Sequence, residues 1–497
     1  MSAQESTPTP RVAAKKALLL IVCLAQFMVI LDISIVNVAL PSIHSGLGFS
    51  TTGLQWVVNA YTLTFAGFLM LGGRCADLLG RRNVFIAGTA LFSVSSLACA
   101  LSDSQTMLLA ARALQGVGGA VLSPATLSIV TSSFEAGPER NKAVGLWGAM
   151  GALGGSSGAL LGGVLTQGLG WPAIFAVNVP LGVVVIVWGL RLISGERERG
   201  ATRNFDVSGA VLITASLVAL TYGIVRTDTL GWGSAGVLGP LAAGVALLGL
   251  FGLVEARLAT APLIPLSILR FRQLRISNIV VTLLYTAFFP VWFFLTLYLQ
   301  EVLHYDAIET GLFFLPMTGS IFVASTLASK VVARFGPRNV ITAGMTVATV
   351  GMLLLIGVAP GGSYFGDVLP GALLASLGMG FSLVPATIVA MQCLPPAQSG
   401  IGSGLLNTSR LMGGALGLAI LSTIADARTR ADHSQGFAHA LTNGFDLAFL
   451  VGAGFALLGA VVAGVWLRNP AARPEGEVVE VSPETLAEIE ESEALAA

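Results

Sequence analysis

The sequence predicts an all-α integral membrane protein, and three observations lead to this fold class. Of the 497 residues, 54% are hydrophobic and only 10% are charged, whereas a soluble domain would be about one quarter charged. The apolar residues fall into long stretches. Most of the basic residues stand in the short breaks between these stretches, as in proteins whose loops flank a membrane.

Fourteen apolar stretches are long enough to cross a bilayer, which takes about 20 helical residues. They are residues 17–41, 54–73, 83–101, 106–133, 143–167, 173–193, 207–225, 234–254, 276–300, 310–329, 339–358, 367–391, 401–425 and 445–467. With a cytosolic N-terminus, 21 of the 26 Lys and Arg residues lie in cytosolic segments and 3 in external ones. Because Lys and Arg mark cytoplasmic loops, we expect a multi-pass protein of the cell (plasma) membrane with both termini in the cytosol.

Three short motifs recur between the two halves of the chain. The sequence GRRNV at 80–84 returns as GPRNV at 336–340, PAT at 124–126 returns at 385–387, and the glycine pair at 154–155 returns at 413–414. The separations lie between 256 and 261 residues. Parallel repeats of this kind are a transporter architecture with the substrate path between them.

The repeat predicts two six-helix bundles, at 17–193 and 275–467. A linker at 194–274 contributes two extra helices, which brings the predicted total to 14 transmembrane helices. Residues 1–16 are expected to form a cytoplasmic N-terminal tail and 468–497 an acidic cytoplasmic tail.

The sequence lacks the residue patterns that several classes of activity would need. None of the four lysines completes the G-x-x-x-x-G-K-[ST] loop that holds ATP phosphates. The four histidines have no metal-ligand spacing, and the formal net charge of zero gives no reason to expect a nucleic-acid partner. We therefore expect no enzyme, no cofactor and no metal, and an ion gradient as the energy source.

Four passages resemble motifs of the major facilitator superfamily, and within it of the fourteen-helix drug:proton antiporters of the EmrB/QacA type. They are LDISIVNVALP (31–41), GGRCADLLGRR (72–82), RALQGVGGAVLSPATLS (112–128) and GWPAIFAVNVPLG (170–182). The resemblance implies the major facilitator fold, working as a monomer in the lipid bilayer. It also implies export of a small hydrophobic or amphipathic compound in exchange for protons.

Asp32 is the only carboxylate well inside an apolar stretch, and Arg112 lies at a similar depth in the fourth stretch. A charge at the centre of a membrane helix costs about 2.5–3.5 kcal/mol on insertion scales, so it needs a partner or a function. We expect the two to pair and to couple transport to protons, as the resemblance also implies. The alternative is a static ion pair that only holds helices together.

The segment 73–82 matches the superfamily pattern G-x-L-A-D-R-x-G-R-R at Gly73, Asp77, Gly80, Arg81 and Arg82, among others. The carboxylate of Asp77 can bond the guanidinium of Arg81 and cap the end of a facing helix. These contacts would stabilise one conformation of the two bundles. We therefore expect a gating loop. Positive charge that only sets the topology would explain the arginines but not Asp77.

The fifth stretch carries a row of glycines that includes Gly151, Gly155, Gly158, Gly162 and Gly163. Glycines spaced by three or four residues let a second helix approach closely. The row resembles the antiporter motif G-x-x-x-G-P-x-x-G-G, with Ala159 in place of its proline. A role in packing alone stays open.

Six residues are candidates for the substrate cavity. Aromatic side chains share a face of the ninth stretch, and Pro290 beside them favours a kink. These aromatic rings could stack against flat apolar compounds. The alternative is that they pack in the protein core. The candidates are Gln115, Tyr285, Phe289, Trp292, Asn407 and Arg410.

Arg410 is a cation within the thirteenth stretch, for which a carboxylate, an anionic group of the substrate, or backbone carbonyls are possible partners. No acidic residue lies deep in the ninth, tenth or thirteenth stretch, which favours neutral, singly charged or anionic substrates over dications.

The function predicted from the sequence is a proton-driven antiporter that exports hydrophobic or amphipathic drugs or antibiotics by alternating access. The alternatives are a proton-coupled symporter for a small metabolite and, from a different class, a non-transporting membrane sensor or scaffold.

Overall fold

The computed structural model describes residues 10–134, 138–193, 206–258, 262, 266–394, 399–432 and 436–469. Among these residues all regular structure is helical. The described residues from Pro10 to Leu467 form one compact unit.

The helices follow one another with short connections. They are α1 (Pro10–Leu47), α2 (Thr51–Leu79), α3 (Arg81–Ala100), α4 (Gln105–Ser133), α5 (Pro138–Leu169), α6 (Ala173–Ala176), α7 (Asn178–Leu192), α8 (Val207–Leu230), α9 (Ala235–Leu253), α10 (Arg272–Leu297), α11 (Ala307–Phe313), α12 (Leu315–Phe335), α13 (Pro337–Leu354), α14 (Leu369–Gln392), α15 (Ser399–Ala431) and α16 (Phe437–Trp466). Short π-helices extend α9 and α10 and precede α14, and a short 3-10 helix precedes α10.

Thirteen segments of the described chain are long and apolar enough to cross a membrane, with α6 and α7 forming one span and α11 and α12 another. The fourteenth predicted span corresponds to α13, which packs between α14 and α16. Its first turn, Pro337-Arg338-Asn339, lowers its mean hydropathy. The predicted fold class is therefore confirmed as an all-helical multi-pass membrane protein.

Helix α1 is longer than the apolar stretch 17–41 that predicts it. The helix continues through Pro41 to Leu47. A proline removes one backbone hydrogen bond and costs about 3 kcal/mol in a helix interior. Here the following turn is retained, and Ile43 within it is fully buried in the main core cluster.

Two predicted spans are broken near one end. The sixth separates into α6 and α7 at Val177, and the tenth into α11 and α12 at Phe314. Pro180 and Pro316 stand just after these breaks. Since proline has no N–H to bond the carbonyl four residues earlier, the helical ladder is interrupted there.

Each half of the chain packs mainly within itself. In the first half, α2 lies against α4, α1 against α5, and α3 against α4; in the second, α10 lies against α15, and α13 against α14 and α16. The inserted helices α8 and α9 pack on each other, and α8 also contacts α2 and α15. The halves meet where α2 contacts α15 and where α5 contacts α11. We call the side where α1 begins the near side, and the side where it ends the far side.

Candidate functional site

Asp32 lies at the centre of a hydrogen-bond network inside the first half and has no exposed surface. Its Oδ2 accepts a hydrogen bond from Arg112 Nη1 at 2.6 Å, which is also an ion pair. Its Oδ1 accepts from Gln115 Nε2 at 2.7 Å and from Asn178 Nδ2 at 2.9 Å. Residues of α1, α4 and α7 thus converge on one carboxylate.

The guanidinium of Arg112 is held on several sides and is 1% exposed. Its Nε donates to the backbone oxygen of Val57 on α2 at 3.0 Å. The rings of Tyr61 and Phe175 lie 4.4 Å and 5.5 Å from its Cζ. Cation–π contacts of this kind contribute about 2 kcal/mol when desolvated, so Arg112 keeps favourable neighbours besides Asp32.

The amide of Gln115 connects the pair to α3. Its Nε2 donates to Ser96 Oγ at 2.6 Å as well as to Asp32, and its Oε1 accepts from Arg112 Nη1 at 2.7 Å. The thiol of Cys99 lies 3.8 Å from the same Oε1. Because all its amide positions are used, Gln115 has one orientation in this network.

The groups of Arg112, Gln115 and Asn178 that contact Asp32 all donate hydrogen bonds to it, which suits a carboxylate because it can only accept. If Asp32 were protonated, its O–H group would point at the N–H groups of its neighbours, which are also donors. Protonation would therefore require these neighbours to rearrange. Asn178 offers one such change: its buried Oδ1 has no partner, and rotating the amide by half a turn would present an acceptor.

Sequence reasoning paired Asp32 with Arg112 and named Gln115 only as a cavity candidate, whereas the structure places the buried amide of Gln115 on Asp32. It missed Asn178, Tyr61 and Ser96. Asn178 was visible as an amide inside the apolar stretch 173–193, and Pro180, two residues later, was the signal for the helix break beside it.

Two further amides were also missed. Gln55 and Asn59 are fully buried on α2, one turn apart, and none of their four side-chain polar atoms has a hydrogen-bond partner in the structure. Unpaired buried amides are costly, so they mark this face of α2 as a polar surface within the membrane-spanning region.

The predicted gating loop lies at the near-side junction of α2 and α3, where Gly80 adopts a φ of 93°. Arg81 Nε donates to Ser128 Oγ on α4 at 2.9 Å, and Arg82 Nη2 donates to the backbone oxygen of Leu190 on α7 at 2.7 Å. The arginines therefore tie the start of α3 to two other helices. The side chain of Asp77 lies outside the described residues.

A carbon added at Gly73, the first glycine of the loop, would make an ordinary contact 3.6 Å from Pro124 of α4.

The glycine row of α5 is split between two neighbours. A Cβ at Gly158 would overlap Ser34 Oγ of α1, and one at Gly162 would lie 2.8 Å from the backbone oxygen of Ile35. Gly163 faces α11 instead, where a Cβ would overlap the backbone oxygen of Ala307.

The near-side part of the row differs from this. Gly155 has nothing within 4 Å of an added Cβ. Gly151 lies in α5, but its surroundings are outside the described residues.

These glycines give a paired prediction. Gly158→Ala is expected to lower the free energy of unfolding by about 1–3 kcal/mol, the usual cost of overpacking, because Ser34 and α1 must move. Gly155→Ala, nearly one turn away, should be neutral or stabilising by up to about 1 kcal/mol, since alanine favours helix and meets nothing there. Thermal unfolding of the two variants in detergent measures both. Equal shifts in the same direction would contradict this account of the packing.

The cavity candidates of the second half lie together on α10 and α15. Arg410 Cζ is 5.0 Å from the ring of Tyr285. Phe289 packs on Gly414, where an added Cβ would lie 3.0 Å from the ring. Trp292 contacts Phe314, with ring centroids 4.8 Å apart.

Other aromatics of α10 have a different surrounding. Phe288, Phe293 and Phe294 are at most 2% exposed and belong to the core, whereas Tyr285, Phe289 and Trp292 are partly buried. Helix α10 continues through Pro290. Asn407 is also partly buried, one turn before Arg410 on α15.

On the far side the two halves are in direct contact. Gln300 Nε2 donates to the backbone oxygen of Val38 at 2.9 Å, and Gln167 Nε2 donates to Asp306 Oδ2 at 3.3 Å. His44 Nδ1 and Glu301 Oε1 are 3.8 Å apart. With α5 and α11 packed backbone to backbone at Gly163, the far side is closed.

Two helical halves that share repeated motifs are an architecture of membrane transporters, and the first half here encloses a buried charge network. The sequence matches the family model of the Major Facilitator Superfamily over residues 22–418. The chain belongs to this superfamily, which confirms the resemblance recognised in the sequence.

Curated relatives cover almost the whole chain. The cephamycin export protein CmcT of Amycolatopsis lactamdurans is 39% identical over 97% of this chain and 98% of its own length. The puromycin resistance protein pur8 of Streptomyces alboniger is 37% identical over 90% of each chain. The described fold also resembles a bacterial homologue of the lysosomal transporter Spinster, with a TM-score of 0.65 and 16% identity over 94% of this chain and 100% of that chain.

Proposed function

We propose that the protein exports hydrophobic or amphipathic compounds, antibiotics among them, in exchange for protons. The observation that carries this proposal is the buried Asp32, which accepts three hydrogen bonds and pairs with Arg112. The relatives support the export of antibiotics, because two of the most similar are named for cephamycin export and puromycin resistance.

Protonation of Asp32 is the proposed link between the proton gradient and movement. With Asp32 ionised, its carboxylate holds α1, α4 and α7 together. A proton neutralises it, weakens its attraction to Arg112 and turns Gln115 and Asn178 into mismatched donors. The helices are then free to shift, and release of the proton restores the network.

The proposed transport cycle alternates access between the two halves. Opening the far side requires α5 to separate from α11 and breaks the bond between Gln300 and Val38. We place the near side, with both termini, in the cytosol, because most Lys and Arg residues lie in its loops. Compounds would then enter from the cytosol while the far side is closed.

The segment 73–82 is proposed to gate the near side. Arg81 and Arg82 bridge α3 to α4 and α7, so a shift of these helices changes both contacts. We retain the bundle boundaries at residues 193 and 275, the monomeric state and the plasma-membrane location as parts of this proposal.

Proton release from everted membrane vesicles tests the function. Vesicles that contain the protein are acidified inside by respiration, with a pH-sensitive dye in the lumen, and puromycin or a cephamycin is added outside. An antiporter carries the compound inward and protons outward, so the lumen becomes less acidic. Vesicles without the protein are the control.

The opposite sign, protons entering with the compound, would indicate a symporter. No compound-dependent proton movement across a panel of antibiotics would leave the sensor or scaffold as the better description.

A further inference from the structure

In the described part of the second half, one cation within a membrane helix has no counter-charge. Arg410 lies on α15 and is partly buried, and its Nε is buried without a hydrogen-bond partner. Among the described residues, no carboxylate pairs with it. This differs from Arg112, whose charge is compensated by Asp32 at 2.6 Å.

The carboxylates of the second half lie far from Arg410. On α15 itself the nearest is Asp426, sixteen residues further along, which is about 24 Å at 1.5 Å per residue. The others stand near the far-side ends of their helices, at 301, 306, 309, 367, 432 and 446. A cation kept within a membrane helix under these conditions needs a functional partner.

Arg410 lies beside aromatic side chains of α10. Its guanidinium lies over Tyr285 at 5.0 Å, and Phe289 follows one turn along α10, packed on Gly414. The next residue of α15, Leu411, packs against the core cluster of the first half. Arg410 therefore lies close to the place where the two halves meet, with a charge and flat apolar surfaces side by side.

We propose that Arg410 binds the carboxylate of an amphipathic anionic substrate whose flat apolar part rests on Tyr285 and Phe289. Arginine is suited to this because its planar fork makes two parallel hydrogen bonds to a carboxylate. The inference rests on the proposed export function and assigns it a substrate class. The sequence left three possible partners for Arg410: a carboxylate of the protein, backbone carbonyls, or an anionic group of the substrate. Of these, the structure favours the anionic group of the substrate.

The test uses a series of dansyl amino acids and their methyl esters, in which a methyl group replaces the negative charge of the carboxylate. Binding to the purified protein in detergent is followed by dansyl fluorescence. At least one acid is expected to bind on the order of tenfold more tightly than its ester, about 1.4 kcal/mol, because hydrogen bonds to a charged group are stronger than neutral ones.

Three variants locate the effect. Arg410→Gln should remove the preference for the acid, whereas Arg410→Lys should keep part of it through its charge. Arg428→Gln, on the same helix but half-exposed and near Asp432, is the control and should keep the full preference. Size-exclusion chromatography confirms that each variant is folded.

The inference is overturned if no acid binds better than its ester, or if Arg410→Gln weakens acid and ester alike. The vesicle assay with puromycin or a cephamycin distinguishes this failure from failure of the proposed function. Compound-dependent proton release without an acid preference would remove only the substrate class. An acid preference that depends on Arg410 without proton release would remove only the antiport.

Discussion

Asp32→Asn is expected to abolish proton-coupled export while the protein still reaches the membrane folded. Asparagine has nearly the same shape as aspartate but cannot take up and release a proton. Arg112 would keep its hydrogen bonds to Val57 and Gln115 and its contacts with two aromatic rings. Compound-driven proton release in everted vesicles should fall to the level of membranes without the protein.

A second carboxylate provides the control for this variant. Asp446 lies in α16, where its Oδ1 accepts from the backbone N–H of Gly357 at 2.9 Å. Asn at this position keeps the acceptor, so Asp446→Asn should export at nearly the normal rate. Normal export by Asp32→Asn would remove Asp32 from the mechanism.

Arg112→Gln is expected to have the largest effect on stability. Removing one partner of a buried ion pair costs about 3–5 kcal/mol, because the other charge stays buried without compensation. The unfolding temperature in detergent and the amount of protein in the membrane should both fall. Export should be lost as well, since Asp32 loses the group that responds to its charge.

The double variant Asp32→Asn/Arg112→Gln separates stability from transport. With both charges removed no buried charge is left alone, so much of the stability should return while export stays absent. If Arg112→Gln were as stable as the wild type, or the double variant less stable than Arg112→Gln, the pair would not be coupled as the structure indicates.

The fold class was predictable because membrane helices can be recognised from the length and hydropathy of their apolar stretches, without knowledge of tertiary contacts. Helix ends were less accessible. The turn of α1 beyond Pro41 is held by tertiary packing of Ile43, which a proline in the sequence argues against. The breaks before Pro180 and Pro316 are marked by the prolines themselves, a signal that apolar composition alone does not contain.

The charged centre of the site was predictable, and its surroundings were not. Asp32 and Arg112 stand out because charges are rare in apolar stretches, and Gln115 follows one helical turn after the arginine. Asn178 comes from a distant segment, and only the break between α6 and α7 and the packing of α7 on α1 bring it to Asp32. On α10, phenylalanine occurs both on the face toward the core and on the face toward the candidate cavity. The sequence therefore could not show that Phe288 is buried in the core while Phe289 is only partly buried.

Infrared difference spectroscopy of the purified protein tests the central claim most directly. Acidification of the wild type should produce the carbonyl band of a protonated carboxylic acid, and addition of a transported compound should remove it as the proton leaves. The band should be missing in Asp32→Asn and present in Asp446→Asn. An identical band in wild type and Asp32→Asn, while the wild type still moves compounds against their gradient, would contradict the account.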